Sequence, residues 1–407
     1  MTGPRRPVGW SHAGARAGRT LREMRRLLVL VSALVWVDTM LYAALTPLLP
    51  HFARDMGLSK SLSGVLVAGY AAGALVGGLP GGMAAGRFGP RRTVLTGLAL
   101  MGIASVGFAF ADSFATLMTA RLFQGLASGF TWAGSFAWLL AAAPRTRRGE
   151  LVGTALAAAT FGALFGPVLG AAAAIAGRDV VFSAIGGLSI VLALWTLRIE
   201  TVETEMPTAA AFARALRSRR FLAGLAGMTL PALLYGVLSV LGPLHLAAAG
   251  WGAAAIGAVW LVGAAIEGSL APIAGRASDR RGLVVPMRIS LALGTLFPIG
   301  LAFGPRPFAY VPLVVLAGAA WGPLFTFAFV LLADGAEQVG LAQGMAFGLM
   351  NAAWATGALV GPAAGGAIAG ATGDTVPFLI CAGLCAVALA ATRRTRPAVA
   401  VAGVGEP

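Results

Sequence analysis

Charge is scarce in this 407-residue chain. Only 11% of its residues are Asp, Glu, Lys or Arg, where a soluble domain carries roughly a quarter, so a water-solvated globule is excluded. Lysine is almost absent: of 30 basic residues, Lys60 is the single lysine. The net charge of +15 does not imply nucleic acid, because the Arg clusters sit between apolar runs rather than on one face of a soluble domain. Cysteine is nearly missing too. Cys381 and Cys385 lie four apart in one apolar run, share a helix face and have no His or acidic companion, so neither a disulfide framework nor a metal site is expected. No Gly-rich phosphate loop, nucleophile elbow or metal-spaced cluster is present. Neither an enzyme nor a cofactor is expected.

Apolar sequence fills the space that charge leaves. Hydrophobic residues make up 58% of the chain, and runs of about 20 residues, the length needed to cross a bilayer, recur throughout. They read as twelve spans, near 27–50, 61–85, 93–111, 114–142, 151–176, 180–198, 221–248, 253–275, 286–304, 308–333, 340–370 and 375–392. The first, after Arg25-Arg26, is too long for a signal peptide and has no small-residue cleavage site, so it reads as an uncleaved span. The segments implied are a tail (1–26), a six-helix bundle (27–199), a linker (200–220), a second bundle (221–392) and a tail (393–407). The fold class is therefore an all-α membrane protein.

Placing the N-terminus inside puts 25 basic residues on the cytoplasmic side and four outside, Arg54, Lys60, Arg178 and Arg306, with Arg121 within a span. That asymmetry predicts both termini in the cytoplasm.

The halves repeat. Tyr42, Pro50, Gly57, Gly82, Gly89 and Gly125 recur 193 residues later as Tyr235, Pro243, Gly250, Gly275, Gly282 and Gly318, and Gly166-Pro167 recurs as Gly361-Pro362. Six spans per copy is an even number, so the copies enter from the same side and the repeat is parallel.

After the second span the chain reads Gly82-Met83-Ala84-Ala85-Gly86-Arg87-Phe88-Gly89-Pro90-Arg91-Arg92, and after the eighth Gly275-Arg276-Ala277-Ser278-Asp279-Arg280-Arg281-Gly282. Both resemble the loop signature of the major facilitator superfamily, and the resemblance extends over all twelve spans. It implies conformational roles for Gly82, Arg87, Gly89, Arg91, Gly275, Asp279, Arg280 and Gly282. Gly86 stands where the family has Asp, which puts an N-half latch of that form in doubt. Asp334 and Glu337 of the tenth-to-eleventh loop can face Arg87, Arg91 or Arg92 instead; a solvated acidic loop is the alternative.

Three further places resemble the twelve-span drug:proton antiporters of this superfamily. The fifth span carries Gly162, Gly166, Pro167 and Gly170, echoed in the eleventh by Gly357, Gly361 and Pro362; glycine permits close helix packing and proline bending. The fourth carries Arg121 with Gln124-Gly125, and the first runs from Asp38-Thr39-Met40 to Pro50. The resemblance implies a proton-coupled antiporter exporting small hydrophobic or amphipathic molecules. A symporter or facilitator is the alternative, then a transport-derived sensor.

Ionisable groups inside a membrane are expensive, about 2.5–3.5 kcal/mol at the centre, and functional by default. Asp38, Arg121 and Glu267 are the three, and their repeat positions hold Pro231, Val314 and Ala74. By helical rise, Asp38 and Arg121 differ in depth by about 4 Å, a gap an Arg side chain covers. The expectation is that Asp38 carries the proton with Arg121 as its partner; a permanent structural ion pair is the alternative. Glu267 reads as a second proton site, a cation-recognising group or a partner of Arg276. Trp36, Tyr42, Phe130, Trp132, Tyr235, Trp321, Phe325, Asn351 and Trp354 are candidate cargo contacts, each with packing as the competing role. His51 and His245 follow matched prolines near the outer ends, for pH sensing or interfacial placement. The expected partners are a small-molecule substrate, protons and the lipid bilayer, for a monomer in the bacterial cell (inner) membrane.

Overall fold

The apolar runs fold as helices, and the breaks fall where proline or glycine prevents continuation. The computed structural model describes residues 10–144, 147–201, 209–304, 306–341 and 343–393. Arg5 and Arg6, part of the expected linker (202–208), the tail from 394 and the side chain of Asp279 lie outside the described residues.

In the first half α1 (Trp10–Ala43) and α2 (Leu45–Asp55) form one bent span, followed by α3 (Lys60–Phe88), α4 (Pro90–Ala109), α5 (Phe114–Ala142), α6 (Arg148–Ala176) and α7 (Arg178–Leu197). A short helix, α8 (Ala209–Ala215), precedes α9 (Arg219–Ala248), α10 (Ala253–Arg281), α11 (Val284–Ala302), α12 (Pro307–Gln338), α13 (Gln343–Thr372) and α14 (Thr375–Arg393). Eleven described stretches are long and apolar enough to cross a membrane. The twelfth crossing is α5, more polar because it carries Arg121, Gln124, Ser128, Thr131 and Ser135, all buried inside the protein.

Pro47 explains the bend in the first span. It has no N–H to give the carbonyl four residues back, so the ladder opens and α1 ends at Ala43 with free carbonyl groups. Three of the remaining turns in each half repeat as pairs. Glycines with left-handed φ fall at Gly57 and Gly250, at Gly89 and Gly282, and at Gly177 and Gly373, and the flanking helices match in length: 29 residues each for α3 and α10, 20 and 19 for α4 and α11.

Several sequence boundaries need correction at the end of the bundle where α1 begins and α14 ends, called here the terminal side. The motif expected as a loop is helical: α3 runs through Arg87 to Phe88 and stops only at Gly89 (φ +85), and α10 runs to Arg281 and stops at Gly282 (φ +73). The expected tenth-to-eleventh loop is largely the end of α12, and Asp334 accepts from Arg220 at 2.6 Å rather than from Arg87, Arg91 or Arg92. Arg91 instead donates to the carbonyl of Ile199 at 2.7 Å, fixing α4 to the end of α7. Arg220 begins in the stretch assigned to the linker, but α9 already starts at Arg219. The first helix likewise starts at Trp10, before Leu27.

Helices pack by glycine seams. Gly162, Gly166 and Gly170 of α6 lie against the carbonyls of Trp36, Met40 and Ala44, all four apart, and a Cβ at any of them would overlap the bent first span. Such close approach drives helix association where lipid removes the hydrophobic incentive. Thr39 donates across this seam to the carbonyl of Ala159 at 2.8 Å. The second half repeats the device: Gly357 and Gly361 lie against the carbonyls of Thr229 and Leu233, and Thr229 donates to Ala353 at 3.0 Å. The halves meet where α3 packs on α13 and α6 on α10. There Pro362 presents its carbonyl to Gly64, and Pro167 presents its own to Gly257, 193 residues on. The matched Gly-Pro pairs thus sit on the two seams where the halves meet.

Candidate functional site at mid-membrane

The first half gathers its polar groups where α1, α3 and α5 meet. Arg121, Gln124, Ser128 and Trp132 follow each other at helical spacing along α5, forming one stripe toward α1. Asp38, 2% exposed, accepts from Ser128 Oγ at 2.8 Å and Trp132 Nε1 at 2.7 Å, both at Oδ2. Its Oδ1 is buried and has no hydrogen-bond partner among the described residues. Tyr70 of α3 donates to the backbone carbonyl of Asp38 at 3.3 Å.

Arg121 does not pair directly with Asp38, which corrects the expected ion pair. Its guanidinium donates to the carbonyls of Leu41 (3.3 Å) and Tyr42 (3.5 Å) and to Gln124 Oε1 (3.2 Å), and lies 4.8 Å from the Tyr70 ring centre. The bend at Ala44 is the physical reason. It leaves the C-terminal carbonyls of α1 open, and a helix C-terminus attracts a cation. Arg121 therefore caps α1 about one turn beyond Asp38.

The second half places its acid differently. Glu267 of α10 is half-buried and meets Tyr235 rather than Arg276, one of its three candidate roles: Tyr235 Oη lies 2.6 Å from Glu267 Oε2 and 2.7 Å from the carbonyl of Gly318. Tyr235 stacks on Phe325 (6.2 Å) with Trp321 edge-on behind it (5.7 Å). Each half thus sets an acidic residue beside a tyrosine on its first two spans, but only in the second half does the tyrosine hydroxyl meet the carboxylate; in the first it meets the acid's backbone carbonyl.

The remaining candidates separate. Tyr42 meets Trp354 of the other half edge-on at 5.0 Å, beside Ala71, Ala232 and Ala358, so these residues occupy the join between halves. Trp36 faces Phe165 at 6.3 Å. Phe130 and Asn351 are half-buried on α5 and α13. Trp321 belongs to the core rather than a cavity wall, since it is fully buried and its indole donates to the carbonyl of Gly294 at 3.3 Å. His51 contacts exposed Asp55 at 3.0 Å, while His245 stacks on Tyr310 at 4.0 Å. Cys381 and Cys385 are free and buried.

Sequence reasoning missed Tyr70, Ser128, Phe136 and Phe347. Ser128 was available from the α5 stripe, because it lies four residues from both Gln124 and Trp132. The others depend on which helices become neighbours. Also unforeseen is a contact joining the halves on the side opposite the termini, Lys60 with Asp374 at 2.5 Å.

A family model described as Major Facilitator Superfamily matches residues 31–347. Among curated proteins, the probable vesicular acetylcholine transporter-B of Danio rerio is 32% identical over 158 residues, 37% of this chain and 32% of that protein. The quinolone resistance protein NorA of Staphylococcus aureus (strain MRSA252) is 28% identical over 144 residues, 35% of this chain and 37% of that one. The matched stretch thus spans about a third of each relative's length. Among solved structures, a bacterial homolog of the human lysosomal transporter Spinster, inward-facing and unoccupied, superposes with TM-score 0.71 at 14% identity, covering 92% of this chain and 99% of that one. The nucleoside transporter NupG superposes with TM-score 0.68 at 16% identity, covering 91% and 100%. At those identities the likeness is one of fold.

Proposed function

The chain belongs to the Major Facilitator Superfamily, and from that premise we propose a proton-coupled antiporter that exports small hydrophobic or amphipathic molecules by alternating access. It is a multi-pass membrane transporter, not an enzyme. Asp38 carries the proposal. A carboxylate this deep in a span costs several kcal/mol unless it is neutralised or functional, and it is 2% exposed, with one oxygen held by Ser128 and Trp132 and the other without a partner among the described residues. That free, buried oxygen is a place for a proton. Arg121, caught on the end of α1 rather than on Asp38, stands close enough to become a counter-charge when the α1–α5 packing shifts.

Glu267 is the second ionisable group of the proposed machinery, as a second proton site or a group that recognises cationic cargo. The hydroxyl of Tyr235 has one proton and two acceptors in reach, so both short contacts are satisfied together only when Glu267 itself carries a proton. The aromatic residues around it, Tyr235 and Phe325, and those at the join, Tyr42 and Trp354, suit apolar cargo better than sugars. The similarity to a quinolone resistance protein supports export, and the basic residues on the terminal side support a cytoplasmic placement of both termini in a bacterial cell membrane.

The test is a compound-panel efflux assay in a pump-deficient bacterial host, with and without an uncoupler. At least one amphipathic compound should accumulate less when the protein is present, and the uncoupler should restore its accumulation. Efflux indifferent to the uncoupler, or uptake driven by the proton gradient, would eliminate antiport.

A further inference from the structure

We propose that Trp132 is a positioning residue that connects the proton site to the contact closing the terminal side, through a ladder of four aromatic rings crossing between the halves. The proposal rests on Asp38 as the proton carrier. The ladder starts at Asp38, whose Oδ2 accepts from Trp132 Nε1 at 2.7 Å. One turn further along α5, Phe136 stacks on Trp132 at 5.3 Å with ring planes 30° apart. Phe136 in turn stacks on Phe347 of α13 at 5.2 Å and 10°, and Phe347 meets Phe329 of α12 at 5.7 Å. Phe136 and Phe347 belong to opposite halves, lie within two turns of the terminal-side ends of their helices, and are 3% and 8% exposed. The stack is a contact between the halves on the side that must open for exchange with that compartment.

The chemistry gives the ladder a sign. An ionised carboxylate accepts a hydrogen bond roughly twice as strongly as a neutral acceptor. Proton loss from Asp38 therefore tightens its hold on the Trp132 indole, fixes the ring and, through stacking, seats Phe136 against Phe347. Proton gain loosens the indole and frees the stack. Ionised Asp38 closes the terminal side and protonated Asp38 opens it, the order an antiporter needs once it has released its proton there. The groups facing Asp38 that also carry or exchange charge are Tyr70 from α3 and Arg121 from α5, with Tyr42 on its own helix beside Arg121. The α6 face packed on α1 presents glycines and the carbonyl of Ala159. None of these reaches the Phe136–Phe347 stack in the way Trp132 does.

The test needs no cargo. Spin labels on Gly149→Cys and Gln338→Cys, exposed terminal-side positions in opposite halves, report the opening by double electron–electron resonance in nanodiscs, with Cys381 and Cys385 replaced by Ala. The parent should shift from short to long distances between mildly alkaline and mildly acidic pH, with the open population changing about tenfold. Trp132→Phe keeps a ring for the stack and deletes only the N–H donor, so the pH shift should fall below about twofold while the protein stays folded. Phe136→Ala should show long distances at both pH values. A full pH shift in Trp132→Phe, with none in Asp38→Asn, overturns the ladder and leaves Asp38 standing. A full shift in Asp38→Asn overturns both.

Discussion

Gly162→Ala should destabilise the first half by a predictable amount. A Cβ at this position would overlap both Thr39 Oγ1 and the Trp36 carbonyl, and neither can withdraw easily. The carbonyl is helix backbone, and the hydroxyl is held by its 2.8 Å bond to Ala159 across the seam. Accommodation therefore requires α1 and α6 to separate. Overpacking of this kind costs about 1–3 kcal/mol, and losing an interhelical hydrogen bond in a membrane protein costs about 0.6 kcal/mol on average. The sum is about 2–4 kcal/mol, or a fall in melting temperature of about 4–16 °C for a half of this size. Gly187→Ala is the control, since nothing lies within 4 Å of a Cβ there. Alanine is also the better helix former by about 1 kcal/mol. Detergent-solubilised protein followed by size-exclusion after heating reads both. Equal melting temperatures for Gly162→Ala and the parent, or equal losses for the two variants, would refute the assignment of the fifth-span motif to close packing.

Lys60→Gln removes the ion pair with Asp374 that joins the halves opposite the termini. A partly exposed pair is worth about 0–1 kcal/mol, so the melting point should hardly move, while alkylation of Ser61→Cys by an impermeant maleimide should quicken up to about fivefold; an unchanged rate would remove the pair from the gating. Tyr235→Phe takes away the hydroxyl between Glu267 and Gly318, and efflux of a compound identified in the panel should fall about tenfold with little change in melting temperature; wild-type efflux would show that this contact does not matter for transport. Gly89→Ala places a side chain at φ +85° and ψ 155°, a region essentially reserved for glycine, at a cost of about 1–3 kcal/mol, and circular dichroism melts should show it, whereas no change would mean the turn relaxes freely.

The architecture was legible because bilayer thickness dictates span length and the repeat offset ties the halves together. The paired glycines at 57 and 250 and at 89 and 282 were visible as a spacing, and they prove to be the turns themselves. The fifth-span motif was legible for a local reason: glycines four apart define one helix face. Asp38, Arg121 and Glu267 stood out because charge within a span is costly, but their partners did not. Arg121 turns to carbonyls exposed by the bend at Ala44, Glu267 turns to a tyrosine from the neighbouring helix, and Asp334 finds Arg220. Each choice is set by which backbones lie adjacent, information that one-dimensional spacing does not contain. The motif after the second and eighth spans reads as a loop from its glycines and charges, yet only its last glycine breaks the helix, since Gly82 and Gly275 are tolerated inside.

Coupling through Asp38 is most directly tested in proteoliposomes with a trapped pH dye. Adding an exported compound identified in the efflux panel outside proteoliposomes of the parent protein should drive the compound in and protons out, alkalinising the lumen. Asp38→Asn should still bind the compound, with no proton movement when it is added. Proton movement of wild-type size in Asp38→Asn would contradict the account.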